Sequence, residues 1–147
     1  MTRINANIDP KDLTSKHLVA EYRELPMIHA ALRKSLKTKS VHEVLKSIPK
    51  KFTLNTGHVR HFYNKLKFLD ARYELLRQEM INRGMNPDPS RHLDVSGIPY
   101  VFFGDAHFDK DDNKIICDRL IEKVRMKPDF YKVDANKYAQ QLVSKYC

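Results

Sequence analysis

The chain has 147 residues, with 27 Lys or Arg against 18 Asp or Glu, a formal net charge of +9 and two cysteines. That length suits a single domain over residues 1–147 with one real core. No apolar run approaches the roughly 20 residues that span a bilayer, and MTRINANIDP lacks the apolar centre of a signal peptide. Cys117 and Cys147 are too few for a disulfide framework, so an intracellular protein with free thiols is expected.

The first predicted helix runs from about Ser15 to Lys37 through Leu18, Tyr22, Leu25, Leu32 and Leu36. Pro26 removes one backbone hydrogen bond inside it and bends it there. A short helical piece is expected at Val41–Lys46. The clearest helix covers about His58 to Arg83. Its apolar and aromatic residues Val59, Phe62, Tyr63, Leu66, Leu69, Tyr73, Leu76 and Met80 recur mostly every three or four positions, and Gly84 then stops it. A third helix is predicted from about Asp111 to Met126, ended by Pro128, with another short piece around Tyr138–Tyr146. No stretch alternates with period two. The fold class is all-α, a compact single domain of three main helices with long connecting loops.

Charge is distributed unevenly. Between Met27 and Lys67 stand ten Lys or Arg and one acid, Glu43, so the remainder of the chain nets to zero. A field concentrated in one stretch suits a polyanion, either nucleic acid or an anionic membrane surface. His29, His42, His58 and His61 fall in the same stretch, and for His58 and His61 polarity on a helix surface is the expectation.

Residues 17–26, HLVAEYRELP, put one histidine, two glutamates and an arginine in front of a proline. At about 100° per residue, with His17 at zero, Leu18, Tyr22, Leu25 and Leu36 fall between about 80° and 140° and form the core face. Glu24 and Glu21 flank His17, near 340° and 40°, on what reads as the exposed face. Ala20 and Ala31 keep that face shallow, and Lys16, Arg23 and Lys34 form a basic edge beside it. Three readings fit. One is a solvated face with (i, i+4) charge pairs. Another is a metal cluster of His17, Glu21 and Glu24, for which the other helices offer no matching ligand pair. The third is a lone carboxylate beside a phosphate-binding strip, the arrangement an enzyme working on nucleic acid needs.

With MTRIN, HLVAEYRELP, TGHVRHFYNKLKFL, SGIPYVFFGD and DRLIEKVRMKPDFYK in this order over about residues 1–132, the chain resembles the viral pyrimidine-dimer DNA glycosylases, also called endonuclease V enzymes. The resemblance implies a small all-α domain and a bifunctional DNA repair enzyme. Such an enzyme cleaves the glycosidic bond of a damaged pyrimidine and then nicks the backbone at the abasic site. It implies duplex DNA carrying UV-induced dimers or abasic sites as partner, a bent duplex with a base flipped out, a monomer, and no metal or organic cofactor. It also implies Thr2 as nucleophile, through its α-amine, and Glu24 as catalytic carboxylate. Arg3, His17, Arg23, Arg119, Lys123, Tyr131 and Lys132 are implied as DNA-binding residues.

An α-amine has a pKa of about 7.7–8.0 against about 10.4 for lysine, so at pH 7 roughly one in seven is neutral and nucleophilic. Removal of Met1 is required to expose it, and the small threonine side chain favours removal. Met27 stands where some members of that family carry a basic residue, and residues 134–147 read as a divergent tail. Outside the resemblance, a non-catalytic helical DNA-binding module remains the competing reading, in which the basic stretch provides affinity and Glu24 is incidental.

Overall fold

The computed structural model describes residues 3–147, and these form helices and loops without a strand. Thr2 lies outside the described residues. Helix α1 (Ser15–Glu24) starts where Thr14 caps it, the Thr14 hydroxyl oxygen accepting the His17 N–H at 3.1 Å. Leu25 keeps right-handed helical dihedrals, φ −52 and ψ −43, and Pro26 opens α2 (Pro26–Thr38). The single bent helix expected from Ser15 to Lys37 is therefore two helices joined without a loop. Proline has no N–H to offer the preceding turn, so the ladder breaks there while the chain direction carries on.

Helix α3 (Val41–Lys46) occupies the stretch anticipated for it and opens on a capping box between Ser40 and Glu43. The predicted helix from His58 to Arg83 is interrupted. One turn, α4 (His58–His61), is separated from α5 (Leu66–Asn82) by four residues. Periodicity could not reveal this break, because a distant segment makes it. The carbonyl of Gly104 accepts the Phe68 N–H in the first turn of α5 at 3.3 Å. Gly104 lies so close to the loop that a Cβ on it would sit 2.5 Å from the Asn64 carbonyl oxygen. The Lys65 ammonium fills the gap by donating to the His61 carbonyl at 2.7 Å and to Asn64 Oδ1 at 2.9 Å.

Helix α6 (Lys110–Met126) carries a capping box of Asp109 and Asp112. Pro128 ends it and opens the single turn α7 (Pro128–Tyr131). Residues 134–147 are no loose tail: Asp134 caps α8 (Ala135–Tyr146), which packs along α6 through Tyr138, Ala139 and Leu142. At its end the Tyr146 hydroxyl accepts the Asp9 N–H at 2.9 Å and donates to the Asp12 carboxylate, which also takes the Lys145 ammonium at 2.7 Å. The last helix is thus tied to the loop that precedes α1.

Leu18 of α1, Leu25 at the junction, and Ile28 and Leu32 of α2 share one core with Leu66, Leu69 and Leu76 of α5 and with Ile116 and Leu120 of α6, all fully buried. Each such side chain stabilises the fold by about 1.5–3 kcal/mol before conformational entropy is subtracted. The three long helical runs do form the frame, as the periodicity implied, with the shorter elements bracing it.

Candidate nucleic-acid interface

Glu21 does not lie on an exposed face. It is 2 % exposed, and its carboxylate receives Arg72 Nε at 2.7 Å and Arg72 Nη2 at 3.1 Å. Asn5 adds its backbone N–H at 3.2 Å and its side-chain amide at 2.7 Å. Arg72 also donates to the carbonyls of Ala6, at 3.0 Å, and Ile8, at 2.6 Å. The segment from Ile4 to Ile8 is therefore laid over the side of α1 that a helical projection leaves open. With Glu21 committed to Arg72 and Asn5, the metal alternative built on His17, Glu21 and Glu24 has lost its middle ligand.

Three of the anticipated DNA-binding cations come together. Arg3, Arg119 and Lys123 line an open groove of about 560 Å³ together with Thr53, Leu54, Asn55, Ile115 and the carboxylates of Asp118 and Glu122. Arg119 and Lys123 stand one turn apart on α6, so both reach the groove. Burial, then the charge of Arg3, presses the Arg119 guanidinium below its ordinary pKa, while Tyr131, Glu24 and Glu21 act in the opposite direction. Arginine remains a cation at neutral pH. Arg119 is thus the hub of the site, within electrostatic reach of the segment leading back to the amino terminus and of Glu24, which is half-buried at the end of α1. Arg23 and Lys132 are exposed, and among the described residues no contact draws them into this groove.

His17 is not an exposed cation. It is 8 % exposed, with Nδ1 3.0 Å from the Thr14 hydroxyl oxygen and its ring stacked on Tyr131 at 4.5 Å between centroids, 22° from parallel. Its Nε2 is buried without a hydrogen-bond partner among the described residues. Burial, reinforced by Arg119 and Lys123, pushes its pKa down to about 4, so at pH 7 it is neutral. Tyr131 in turn meets Phe130 edge-on at 5.0 Å. Phe130 is half-exposed, with the Lys16 ammonium 4.8 Å and the Lys127 ammonium 5.9 Å from its ring centre. This aromatic step with two cations over it is a surface on which an unstacked base can lie. Lys16 belongs to the basic edge expected beside the His17 face, whereas Lys127 was not singled out from the sequence, and only its closeness to the Phe130-Tyr131 pair could have marked it.

His58 and His61 are buried, at 0 % and 5 % exposure, rather than on a helix surface. Both edge onto Phe52 and Phe62, and His61 Nδ1 faces the Pro49 carbonyl at 2.9 Å. Burial pushes His58 down to about 4, with Arg3, His61 and Arg119 adding to the shift and the hydrogen bond to Thr53 opposing it. His17 and His58 are therefore neutral when folded and protonate near 6.5 when unfolded. Their contribution is fully present above pH 6.5 and is lost as the pH falls through 6.5 toward 4. The expected loss between pH 7 and pH 5 is about 2 kcal/mol for each. Urea unfolding at the two pH values checks this, and equal stability at both would show that the histidines are not held neutral.

The basic stretch from residue 27 to residue 67 lends Thr53, Leu54 and Asn55 to this groove but none of its cations. Arg33 pairs with Asp94 at 3.4 Å, Lys67 with Asp105 at 3.5 Å, and Lys65 turns inward to backbone. Arg3, Arg23, Arg119 and Lys123 all come from the electrically balanced remainder of the chain. If the groove holds phosphates, log affinity for duplex DNA falls with log salt by about 0.9 per phosphate contact. Arg119→Ala and Lys123→Ala should each flatten that slope by roughly one. A slope near zero in the unmutated protein would remove the electrostatic case for this groove.

No helix among the described residues is long and apolar enough to cross a membrane. A family model described as pyrimidine dimer DNA glycosylase matches residues 1–93, which hold α1 to α5 and the clamped segment before them. Arg119, Lys123 and Tyr131 lie beyond the matched stretch and join it through tertiary structure, while Lys132, also beyond it, is exposed. With more than half of its length matched, and with a cationic groove, a half-buried glutamate and an aromatic step on one all-α frame, the chain belongs to the pyrimidine dimer DNA glycosylase family.

Proposed function

We propose that the chain excises the base at a UV-induced pyrimidine dimer and then cuts the strand at the abasic site, using the α-amine of Thr2 for both steps. The neutral amine attacks C1′ of the sugar. The bond from C1′ to the base nitrogen breaks, and the base leaves the sugar with the electron pair and takes up a proton, still joined to its dimer neighbour. A proton passes from the attached amine to the ring oxygen O4′ as the C1′–O4′ bond breaks, leaving a protonated Schiff base at C1′. Loss of a proton from C2′ then sends an electron pair into the C2′–C3′ bond and expels the 3′ phosphate. Glu24 is the group suited to accept protons and to stabilise the positive charge on the sugar and the imine. Arg3, Arg119 and Lys123 hold flanking phosphates, and Tyr131 with Phe130 offers a stacking surface for an unpaired base. One chain carries all of these groups, so it acts as a monomer, on dimer-containing and on abasic duplexes.

The observation that carries this reading is the fixed course of the segment from Ile4 to Ile8, which leads back through Arg3 into the Arg119 groove. The test is incubation with UV-irradiated duplex in the presence of borohydride, which reduces a Schiff base to a stable protein–DNA adduct. An adduct is expected, and its first residue should be Thr2. Reductive methylation of the amine, or retention of Met1, is expected to abolish trapping while leaving most nonspecific DNA binding. Full activity from protein that begins at Met1 would defeat the mechanism, and binding without any adduct would favour a non-catalytic DNA-binding module.

A further inference from the structure

The first described residues are held by a tie that the reaction chemistry does not itself call for. Ile4 is completely buried, and its backbone N–H donates to His58 Nε2 at 2.9 Å. On the other edge of the ring, His58 Nδ1 lies 2.7 Å from the Thr53 carbonyl oxygen. A carbonyl can only accept and an amide N–H can only donate, so one arrangement satisfies both: proton on Nδ1, lone pair on Nε2. The ring cannot turn freely, because Phe52 and Phe62 meet it edge-on at centroid distances of 5.6 and 5.3 Å. Its depressed pKa, near 4, keeps Nε2 an acceptor at neutral pH.

We infer that His58 is a positioning residue for the reacting amine, its Nε2 holding the Ile4 amide and so fixing how far and in which direction the start of the chain can reach. The inference rests on the proposed role of the Thr2 amine. From the Ile4 nitrogen back to that amine is two residues of chain, roughly 7 Å when extended. Without the His58 bond the Ile4 side chain stays buried, and the next backbone amide held by a side chain is that of Asn5, on Glu21. The peptide that leads to the amine then loses the bond that sets its direction. Thr53, which anchors the far side of the imidazole, also lines the groove that holds Arg119 and Lys123. The chain Thr53, His58, Ile4 therefore refers the amine to the wall of the phosphate groove by two hydrogen bonds, independently of the Glu21–Arg72 clamp behind it.

Misplacing a nucleophile by an ångström or so costs up to about 100-fold in rate. Accordingly, His58→Leu, which keeps an apolar side chain of similar bulk but no acceptor, should slow borohydride trapping on a preformed abasic duplex about 10–100-fold at saturating protein. Its affinity for undamaged duplex should stay within about twofold of the unmutated protein, since no phosphate-binding group is changed. His58→Gln, whose amide oxygen can accept from Ile4 and whose NH2 can donate to Thr53, should regain most of the rate. Leu69→Ala is the comparison for stability alone, because Leu69 is a core residue of α5 whose removal takes away packing and no hydrogen bond. It should trap at the unmutated rate under conditions in which all variants are folded.

A His58→Leu protein that traps as fast as the unmutated one would overturn the inference, as would a Leu69→Ala protein of equal stability that is equally slow. Hydrogen exchange in the unmutated protein keeps the test alive should His58→Leu fail to fold. The Ile4 amide must then exchange as slowly as core amides of α5, and fast exchange there overturns the tie. Absence of an adduct from the unmutated protein is a different failure, one that defeats the amine mechanism and this role with it.

Discussion

Glu24→Gln is expected to slow single-turnover cleavage of dimer-containing duplex by on the order of 10²–10⁴-fold while DNA affinity holds or rises slightly. The substitution keeps size and shape and removes the negative charge and the capacity to exchange a proton. Positive charge develops on the sugar and on the Schiff base, and Glu24 sits where its field already reaches Arg119 at the edge of the groove. In the intact protein that carboxylate repels phosphates slightly, so its loss cannot weaken binding through charge. Glu74→Gln serves as the comparison. Glu74 is exposed on α5 and meets Arg77 at 3.8 Å, an (i, i+3) pair worth a few tenths of a kcal/mol. Single-turnover gels alongside a binding titration make the measurement. Cleavage by Glu24→Gln at the unmutated rate would mean that protons and charge are handled by another group.

The second large effect concerns stability. Arg72→Met is expected to destabilise the fold by about 3–5 kcal/mol, because it strands the Glu21 carboxylate in a dry environment. The carbonyls of Ala6 and Ile8 lose their donor at the same time. For a chain of this size such a loss lowers Tm by roughly 6–20 °C. Replacing both partners, as Glu21→Leu with Arg72→Met, should recover part of the deficit, since two apolar groups leave no unpaired charge. Denaturant unfolding of the two single variants and the double variant measures the coupling directly. A loss below about 1 kcal/mol for Arg72→Met would show that the pair is wet and does not clamp the segment.

Much of the frame could be read from spacing. Leu18, Tyr22, Leu25, Leu66, Leu69, Tyr73, Leu76 and Met80 were assigned to the core by helical periodicity, and all are buried. Val41–Lys46 is a helix with the bounds expected of it, because the Ser40 and Glu43 capping box is local chemistry that four residues contain in full. Gly84 ends α5 for a similarly local reason, as its φ of 82° suits glycine and few other residues. Such features are determined within a turn or two of chain, which is why they are visible before any fold is known.

The site was legible only in part. Glu24 and Arg119 were singled out by resemblance, and the structure brings them within electrostatic reach of each other. Charge counting pointed instead to residues 27–67, where Arg33 and Lys67 prove to be paired with acids from the loop at residues 94–105. Those acids are far away in sequence, and a count along the chain cannot register them. Glu21 and His17 were placed on an exposed face because a helical projection knows only its own helix. It has no knowledge of the segment from Ile4 to Ile8, or of Tyr131, that covers it.

By itself, then, the sequence determined the all-α class, the positions of the long helices, most of their buried faces and the family, since each follows from local periodicity, capping chemistry or ordered motifs. Tertiary structure alone decided which ionisable groups are solvated and which are neutral or paired. It broke the helix at Phe62–Lys65 through Gly104, folded residues 134–147 onto α6, committed Glu21 to Arg72 and silenced His17 and His58 as cations. The physical reason is common to all of these. Desolvation, ion pairing and hydrogen-bond satisfaction depend on what lies within a few ångströms in space, and here those neighbours come from segments tens of residues away along the chain.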